Sequence, residues 1–348
     1  MKNKEVNSHQ IARLAGVSRS TVSRVINNYS NVPAETREKV MKVIKQYNYF
    51  PNLSGQVLAG KSTRTVGLFM IESGPVSGDM IANFLLANVV ETASSQGYYV
   101  LTQIIRDSRD PAAVRSVKES FYQRRIDGGI FIGAANHEPL IEELIAEGFA
   151  IGLVDHELPG RQEPNRIVYN FDNAGGIEQA IDYVVSLNHR HIGVITGDMK
   201  RHSGTEKFRG FMQAMDKRGL TVRPEWILDG DFDQQSGFTA MEQLLEGGGE
   251  LPTAIFAAND SVAFGVMDAL YKRGLRVPDD ISVIGFDDHS LSARFQPPLT
   301  TVRVDFAAVM GGLTKALIGC IEHGGDTFNK VTVSTNLVIR ESCKRIPT

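Results

Sequence analysis

From residue 65 onward, short apolar runs alternate with stretches of helical periodicity, and no other feature constrains the fold of this chain as strongly. The pattern predicts one set of strands at 66–71, 98–105, 128–133 and 151–155, and a second set at 192–197, 226–232, 254–259 and 282–286. Strand–helix–strand units form parallel sheets that carry helices on both faces. The sequence therefore predicts an α/β core of two lobes.

A ligand cleft is expected between these lobes, because sheets of this kind bind ligands beyond the carboxyl ends of their strands. Asn259 and Asp287 end predicted strands, where an amide and a carboxylate can bind hydroxyl groups. The alternative for Asn259 and its neighbour Asp260 is helix capping. We expect both roles, with Asp260 nearer the structural one.

Composition places the chain among soluble globular proteins, with 42% hydrophobic and 22% charged residues. Its 348 residues are enough for two or three domains. No apolar run is long enough to span a bilayer, residues 1–10 lack the apolar segment of a signal peptide, and two cysteines give no disulfide framework. These features favour the cytoplasm and no membrane partner.

The charge is unevenly distributed along the chain. Residues 1–62 contain ten Lys or Arg and three Asp or Glu, a net charge of +7, whereas the whole chain carries −3 and the remainder therefore −10. A small basic module on an acidic body indicates that the module binds a polyanion. The alternative is a basic solvated face.

The basic module contains the pattern of three short helices. Asn7 can cap the first, Gly16 ends it, Ser18 begins the second, and Pro33 fits the first turn of a third. Two short helices joined by Ala-Gly-Val-Ser form the helix-turn-helix pattern, although a generic helical hairpin is the alternative. The expected core of this module is Ile11, Leu14, Val22, Val25, Val40 and Ile44.

The second helix of such a module enters the major groove, with its N-terminal side chains at the base edges. Arg19 is the strongest candidate for base reading, because a guanidinium can bond guanine O6 and N7 together. Arg24 and Asn31 are expected to contact the DNA backbone. The predicted DNA contacts of this module are Asn7, Ser18, Arg19, Ser20, Thr21, Ser23, Arg24, Asn27 and Asn31.

Residues 11–27 (IARLAGVSRSTVSRVIN), 36–40 (TREKV) and 48–52 (NYFPN) closely resemble the head of the lac repressor / galactose repressor (LacI/GalR) family. The resemblance implies that Arg19 and Ser20 set operator preference. It also implies a hinge that forms a short helix only on operator DNA, with Leu58 wedged into a base step. The sequence departs from the family at Pro33, where the family usually has a hydroxyl residue that can contact phosphate. It also departs at Gly55, where the family usually has an alanine, and a glycine in a helix costs about 0.5–1 kcal/mol relative to alanine. A plain linker is the alternative for the hinge.

Residues 55–62 (GQVLAGKS) also match the phosphate-binding G-x-x-x-x-G-K-[ST] motif. That motif follows a buried strand and opens a helix, whereas here a proline-containing segment precedes it and a predicted strand follows. The context disfavours an ATPase. No other catalytic motif and no metal-ligand spacing is present, and no cofactor is expected.

The core resembles the same family, and periplasmic sugar-binding proteins, at residues 258–265, 277–288 and 297–301. The resemblance implies that Phe232 stacks on the ligand. It also places Lys207 in the cleft, where the family usually has an arginine whose planar fork a lysine lacks. Arg201 could assist, which would favour an anionic effector. Residues 72–79 depart from the family pattern, so ligand contacts of the first lobe are not assigned.

The predicted architecture is an all-α helix-turn-helix head joined to a two-lobed core of parallel sheets like that of periplasmic binding proteins. We place the DNA-binding head at 1–50, the hinge at 51–64 and the effector-binding and dimerisation core at 65–348. One lobe covers roughly 65–172 plus 302–330, and the other covers 173–301 plus 331–345.

The sequence thus predicts a repressor of carbohydrate-metabolism genes that binds double-stranded operator DNA and responds to a sugar-like or sugar-acid effector. Its expected effector-binding residues are Lys207, Phe232, Asn259 and Asp287. A homodimer is expected, because a pseudo-palindromic operator matches two-fold symmetry and no heptad tail follows the last predicted strand at 331–339. The alternatives are a cytosolic sugar-binding protein without a DNA role and a regulator that responds to a partner protein.

Overall fold

The computed structural model describes residues 6–26, 29–49, 62–71, 76, 80–325 and 328–347. The chain forms two compact units, Met1–Thr63 and Arg64–Thr348. The predicted contacts Asn27 and Leu58, the hinge segment 51–61 and most of the phosphate-loop match lie outside the described residues.

The first unit contains three helices: α1 (Ser8–Ala15), α2 (Arg19–Ile26) and α3 (Ala34–Gln46). The predicted cap is confirmed, since Asn7 and Gln10 form a capping box at the start of α1 and Gly16 ends that helix in the left-handed conformation. The predicted burial of Leu14 is wrong, because this side chain is 45% exposed. Helix α1 turns Ile11, Ala12 and Ala15 inward instead, and so Leu14 faces outward.

The first lobe of the second unit is built on a fully parallel sheet with the strand order β11-β5-β4-β3-β1-β2. Its strands are β1 (Thr65–Ile71), β2 (Tyr99–Ile105), β3 (Gly128–Ile132), β4 (Ala150–Val154), β5 (Arg166–Phe171) and β11 (Asn329–Val333). Its helices are α4 (Met80–Ser95), α5 (Pro111–Tyr122), α6 (Pro139–Ala146) and α11 (Phe306–His323).

The second lobe has the strand order β12-β10-β9-β8-β6-β7, and only β12 runs antiparallel to its neighbour. Its strands are β6 (Ile192–Ile195), β7 (Ile227–Leu228), β8 (Ala254–Ala257), β9 (Ser282–Asp287), β10 (Thr300–Val304) and β12 (Thr335–Val338). Its helices are α7 (Asn173–Ser186), α8 (His202–Lys217), α9 (Gln234–Glu246) and α10 (Asp260–Lys272), with a 3₁₀ turn at Pro224–Trp226.

The chain crosses back between the lobes near its end. Strand β10 lies in the second sheet, α11 then packs on β3, β4 and β5 of the first sheet, and β11 and β12 lie in different sheets. The sequence placed these crossings at roughly 302 and 331, and in the structure β10 ends at Val304 and β11 at Val333. The single strand expected at 331–339 is therefore two strands, separated by Ser334.

Strands β5 and β10 are absent from the predicted set. Strand β5 begins with Arg166 and contains Asn170, and β10 contains two threonines and an arginine, so neither reads as an apolar run. Arg166 and Asn170 are nevertheless buried, because each finds polar partners inside the lobe. No helix among the described residues has both the length and the apolar character needed to cross a bilayer.

Candidate DNA-reading head and effector cleft

Helix α2 separates a buried face from an exposed polar face. Val22 and Val25 are buried in the head, and the predicted contact residues Ser18, Arg19, Ser20, Ser23 and Arg24 are exposed, with Thr21 half-buried. Amphipathicity at the helical period thus places the predicted base-reading side chains together on the face that points away from the core of the head.

Hydroxyl groups organise the first turn of α2. The Ser18 Oγ accepts a hydrogen bond from the Thr21 main-chain N–H at 3.1 Å, so Ser18 caps the helix. The same oxygen lies 2.7 Å from Ser20 Oγ and 2.8 Å from Thr21 Oγ1. Ser18 therefore orders the turn from which Arg19 and Ser20 project.

Two further predicted DNA contacts of the head, Asn7 and Asn31, lie at the start of α1 and in the turn before α3. The Asn7 side chain accepts from Gln10 N–H at 3.0 Å, so its carbonyl oxygen is used in the cap of α1. Asn31 is exposed in the turn that precedes α3. Arg37 of α3 donates to the Tyr29 carbonyl and so ties that turn to the helix.

The four predicted effector residues come together at the carboxyl edge of the second sheet. Lys207 lies on α8 and is only 3% exposed. Its Nζ donates to the Ala258 carbonyl at 2.8 Å and lies 3.8 Å from Asp287 Oδ1. The ammonium also lies 3.9 Å from the centre of the Phe286 ring and 5.5 Å from that of Phe232.

The surroundings of Lys207 act on its charge in opposite directions. Burial lowers the pKa of the Lys207 ammonium, and the carboxylates of Asp287, Asp155 and Asp260 oppose that shift. The aromatic rings favour the cation, because their faces carry negative potential. The site thus holds a desolvated cation beside a carboxylate and an aromatic face.

The helix-capping role predicted for Asn259 is confirmed, and its role in ligand binding stays a prediction. Its Oδ1 accepts from Val262 N–H at 2.8 Å and caps α10, while its Nδ2 donates to the Phe232 carbonyl at 2.9 Å. The cap therefore also fixes the segment that carries the Phe232 ring. That ring is half-buried, and the Arg201 guanidinium lies 5.7 Å from its centre.

A family model for bacterial regulatory proteins of the lacI family matches residues 9–52, and one for a periplasmic binding protein-like domain matches residues 181–343. The HTH-type transcriptional repressor PurR of Haemophilus influenzae (strain PittEE) is 31% identical over 340 residues, which cover 97% of this chain and 98% of that protein. The chain belongs to the lacI family of bacterial regulatory proteins.

Two solved structures share the architecture of this lacI-family chain. The lac repressor dimer bound to operator and the anti-inducer ONPF is 27% identical, with a TM-score of 0.83, over 98% of this chain and 100% of that one. The transcriptional regulator CelR in complex with cellobiose is also 27% identical, with a TM-score of 0.73, over 97% of this chain and 99% of that one. The predicted fold class is confirmed, and the chain is a DNA-binding transcriptional regulator with a small-molecule effector.

In this lacI-family core, Asp260 lies next to the predicted effector residue Asp287. Its carboxylate accepts hydrogen bonds from Ser292 Oγ, Thr301 Oγ1 and the His289 main-chain N–H, and it is fully buried. Burial, together with the charge of Asp287, raises the pKa of Asp260 to about 8. These bonds anchor the segment that follows β9 and so hold Asp287, whose backbone has a φ of 115°.

Asp155 is a carboxylate near Lys207 that is absent from the predicted effector residues. It follows β4 in the left-handed conformation, and its Oδ2 accepts from Ser203 N–H of α8 in the other lobe at 3.1 Å. Its Oδ1 is buried without a hydrogen-bond partner among the described residues. The strand-end rule that selected Asn259 and Asp287 applies equally to Asp155, since the sequence predicted the strand 151–155.

Direct contacts join the two lobes beside Asp155. Arg201 donates to the Ile71 carbonyl at 3.4 Å, Asn136 N–H donates to the Lys200 carbonyl at 3.2 Å, and Glu157 Oε2 lies 3.7 Å from His202 Nε2.

In the described part of the chain, no three His, Cys, Asp or Glu side chains are grouped as metal ligands would be.

Proposed function

We propose that this protein is a homodimeric repressor that reads a pseudo-palindromic operator with α2 and binds a sugar or sugar-acid effector between its lobes. The observation that carries the effector assignment is the convergence of Lys207, Phe232, Asn259 and Asp287 at one sheet edge. Arg19 is the proposed base-reading residue, with Ser20 beside it. The proposal places the protein in the cytoplasm, where it can reach DNA.

The chemistry of the cleft supports a sugar. A sugar presents an apolar C–H face, which fits the half-buried Phe232 ring, and hydroxyl edges, which fit the carboxylates of Asp287 and Asp155. The structurally similar CelR is described in complex with cellobiose. Lys207 and Arg201 add two cations near the ring, and a ligand carboxylate could bind them. A sugar acid is therefore the preferred effector class.

Control of DNA binding follows from the contacts between the lobes. The Asp155–Ser203 and Arg201–Ile71 hydrogen bonds link the lobes directly, so a ligand that occupies the cleft alters these contacts. A ligand shifts the arrangement of the lobes only if it binds one arrangement more tightly than the other. We propose that this difference in affinity is transmitted to the DNA-binding heads.

An exposed apolar surface supports the homodimer. Phe84 and Val90 on α4, and Tyr99, Leu101 and Ile104 on β2, are 39–70% exposed, and β2 is an edge strand. Exposed apolar groups along an unpaired strand edge are typical of association surfaces. We propose that the same surface of a second copy covers them, which we call the α4/β2 surface.

The test of the proposed function selects DNA from a random duplex library with the purified full chain and then measures binding by fluorescence anisotropy. We expect a pseudo-palindromic consensus and a shift in affinity with at least one sugar or sugar acid. Binding that shows no preference for any duplex over competitor DNA would instead support a sugar-binding protein without a DNA role. A response to a partner protein, but to no small molecule, would overturn the effector assignment.

A further inference from the structure

The turn that follows β9, beside the proposed effector cleft, has an unusual backbone conformation. Asp287, the last residue of β9, has a φ of 115°, and the next residue, Asp288, has a φ of 56°. Residues with a side chain seldom adopt a positive φ, and the left-handed region open to them lies only near about +60°. Asp288 falls within that region, which aspartate tolerates, whereas Asp287 lies well outside it. The backbone of Asp287 must therefore be held in place by its surroundings.

The two carboxylates of this turn have different partners. Asp287 Oδ1 lies 3.8 Å from Lys207 Nζ in the proposed effector cleft. The Asp288 carboxylate instead accepts a hydrogen bond from Arg303 at 2.6 Å and another from Arg340 at 2.5 Å, one on each oxygen. The Asp288 side chain is only 10% exposed. Because each oxygen has its own arginine, the side chain of Asp288 is fixed in both position and orientation.

The partners of Asp288 come from the neighbouring strand and from the segment after β12. Arg303 lies on β10, where its Cα is paired with that of Asp287. Arg340 follows β12. The main-chain N–H of Asp288 also donates to Thr301 Oγ1 on β10 at 3.3 Å. The residue after Asp287 is therefore anchored by three hydrogen bonds to parts of the fold outside the turn.

The segment after β12 has other anchors besides Asp288. The main-chain N–H of Arg340 donates to Thr300 Oγ1 at 2.9 Å. Ser342 Oγ accepts from Thr300 N–H at 2.8 Å and donates to the Val283 carbonyl at 2.6 Å. Because these bonds hold the segment without Asp288, the part of the fold that depends most on the arginine pairs is the turn at the end of β9.

Asp287 thus lies between two residues that the fold fixes. Before it, Phe286 is fully buried and paired with Val302 across the sheet. After it, Asp288 is held by its two arginines. An unfavourable backbone conformation persists when the structure on both sides determines it, and such conformations concentrate at ligand-binding sites.

We propose that Asp288 is a positioning residue, whose two arginine pairs hold Asp287 in the conformation that places its carboxylate beside Lys207. When these pairs are weakened, the backbone of Asp287 relaxes toward an ordinary φ, and its carboxylate moves away from the Lys207 ammonium. The importance of this placement for effector binding rests on the proposed function, whereas the placement itself does not.

The test measures the pKa of Lys207 in the full chain without ligand, by ¹⁵N NMR of its side-chain amine, with Lys207→Arg used to assign the signal. The Asp287 carboxylate favours the charged form of Lys207, so its displacement lowers this pKa further. Replacement of Asp288 itself would be ambiguous, because the loss of a negative charge also lowers the pKa. The informative variants are Arg303→Gln and Arg340→Gln, in which the loss of a cation alone would raise it.

We expect the pKa of Lys207 to fall by roughly 1 in both variants, since an opposite charge within about 4–6 Å shifts a pKa by about 1–3. The Arg303 side chain is 57% exposed, so Arg303→Gln should fold whether or not Arg340→Gln does. An unchanged or raised pKa of Lys207 in Arg303→Gln would overturn the proposal.

Two control variants separate the ion pair from a general effect of charge. Arg303→Lys keeps a cation beside Asp288 and should restore the pKa of Lys207 in the unmodified chain. Arg276→Gln removes a more exposed cation of the same lobe, which pairs elsewhere, and should not lower that pKa. A fall in Arg303→Gln would support the placement of Asp287 even if the unmodified chain responded to no sugar or sugar acid, a result that would reject only the proposed function.

Discussion

Arg19 projects from the turn that Ser18 caps, on the exposed face of α2. We predict that Arg19→Ala lowers affinity for the selected operator by about 1–3 kcal/mol and relaxes the preference at one base pair of each half-site. Fluorescence anisotropy on the operator and its single-base variants measures both effects. Arg24→Ala is the control, and it should weaken all duplexes alike. A uniform loss with Arg19→Ala would make Arg19 a phosphate contact.

Asp287 is the carboxylate that lies beside Lys207 in the proposed effector cleft. We predict that Asp287→Ala abolishes the response to the effector and leaves operator affinity nearly unchanged, because the cleft lies in a different compact unit from the head. Calorimetric titration with the effector and anisotropy with operator DNA give the two readouts. Asp279→Ala removes a more exposed carboxylate of the same lobe and should leave the response intact. An unchanged response in Asp287→Ala would exclude this residue from the site.

At the scale of residues, the sequence predicted side chains whose environment follows from local position. Asn259 and Asp287 were found because they end recognisable strands, and the Asn7 cap because it precedes an amphipathic helix. Asp155 also ends a predicted strand and could have been selected by the same rule, but its contact with Ser203 of the other lobe is visible only in the structure, because the two residues are distant in sequence. Leu14 was placed wrongly because apolar spacing does not determine which of two adjacent faces of a short helix is buried.

The close contact between α9 and α10 depends on glycine. A Cβ atom at Gly265 would lie 2.0 Å from the Gln234 carbonyl oxygen. We predict that Gly265→Ala destabilises the protein by about 1–3 kcal/mol, because the two helices must separate to admit the methyl group. Chemical denaturation followed by circular dichroism measures the change in unfolding free energy.

The matched control is a glycine in an open helical position. A Cβ at Gly319 of α11 meets no atom within 4 Å, so Gly319→Ala should stabilise the protein by about 0.5–1 kcal/mol. If Gly265→Ala also stabilised the protein, the gain in helix propensity would outweigh any clash between α9 and α10.

At the scale of elements, hydrophobic periodicity predicted the strands that are buried on both faces and missed those that carry buried polar groups. Strands β3 and β4 are uniformly buried and apolar, and both were predicted. Strand β5 was not, because Arg166 is buried only through its pairing with Glu142 and Glu163. That pairing requires tertiary structure, which a local pattern does not contain.

The α4/β2 surface bears on the assembly of the whole molecule. We predict that Leu101→Glu converts a dimer into a monomer, because a carboxylate on this strand would be desolvated at the interface. Operator affinity should then fall by about 10²-fold or more, since the two heads no longer bind as a linked pair. Size-exclusion chromatography with light scattering measures the mass. Tyr122→Glu, at an exposed aromatic on α5, is the control and should remain dimeric. A dimeric Leu101→Glu would place the interface elsewhere.

The pH dependence of stability is also a property of the whole molecule, and Asp260 determines its sign. Burial and Asp287 raise the pKa of Asp260 from 3.8 to about 8, so its stabilising contribution is complete below pH 3.8 and is lost as pH rises through 8. We predict that the unfolding free energy falls between about pH 6 and 8, by at most about 1.4 kcal/mol per pH unit from this group.

Asp260→Asn should flatten this slope, because the Ser292 and Thr301 hydroxyls can accept from an amide as well as donate to it. Chemical denaturation at several pH values across this range measures how the unfolding free energy changes with pH. Asp216→Asn, at an exposed position, is the control and should keep the pH dependence of the unmodified protein. A slope that survives in Asp260→Asn would mean that Asp260 is ionised in the folded protein, stabilised by its three donors.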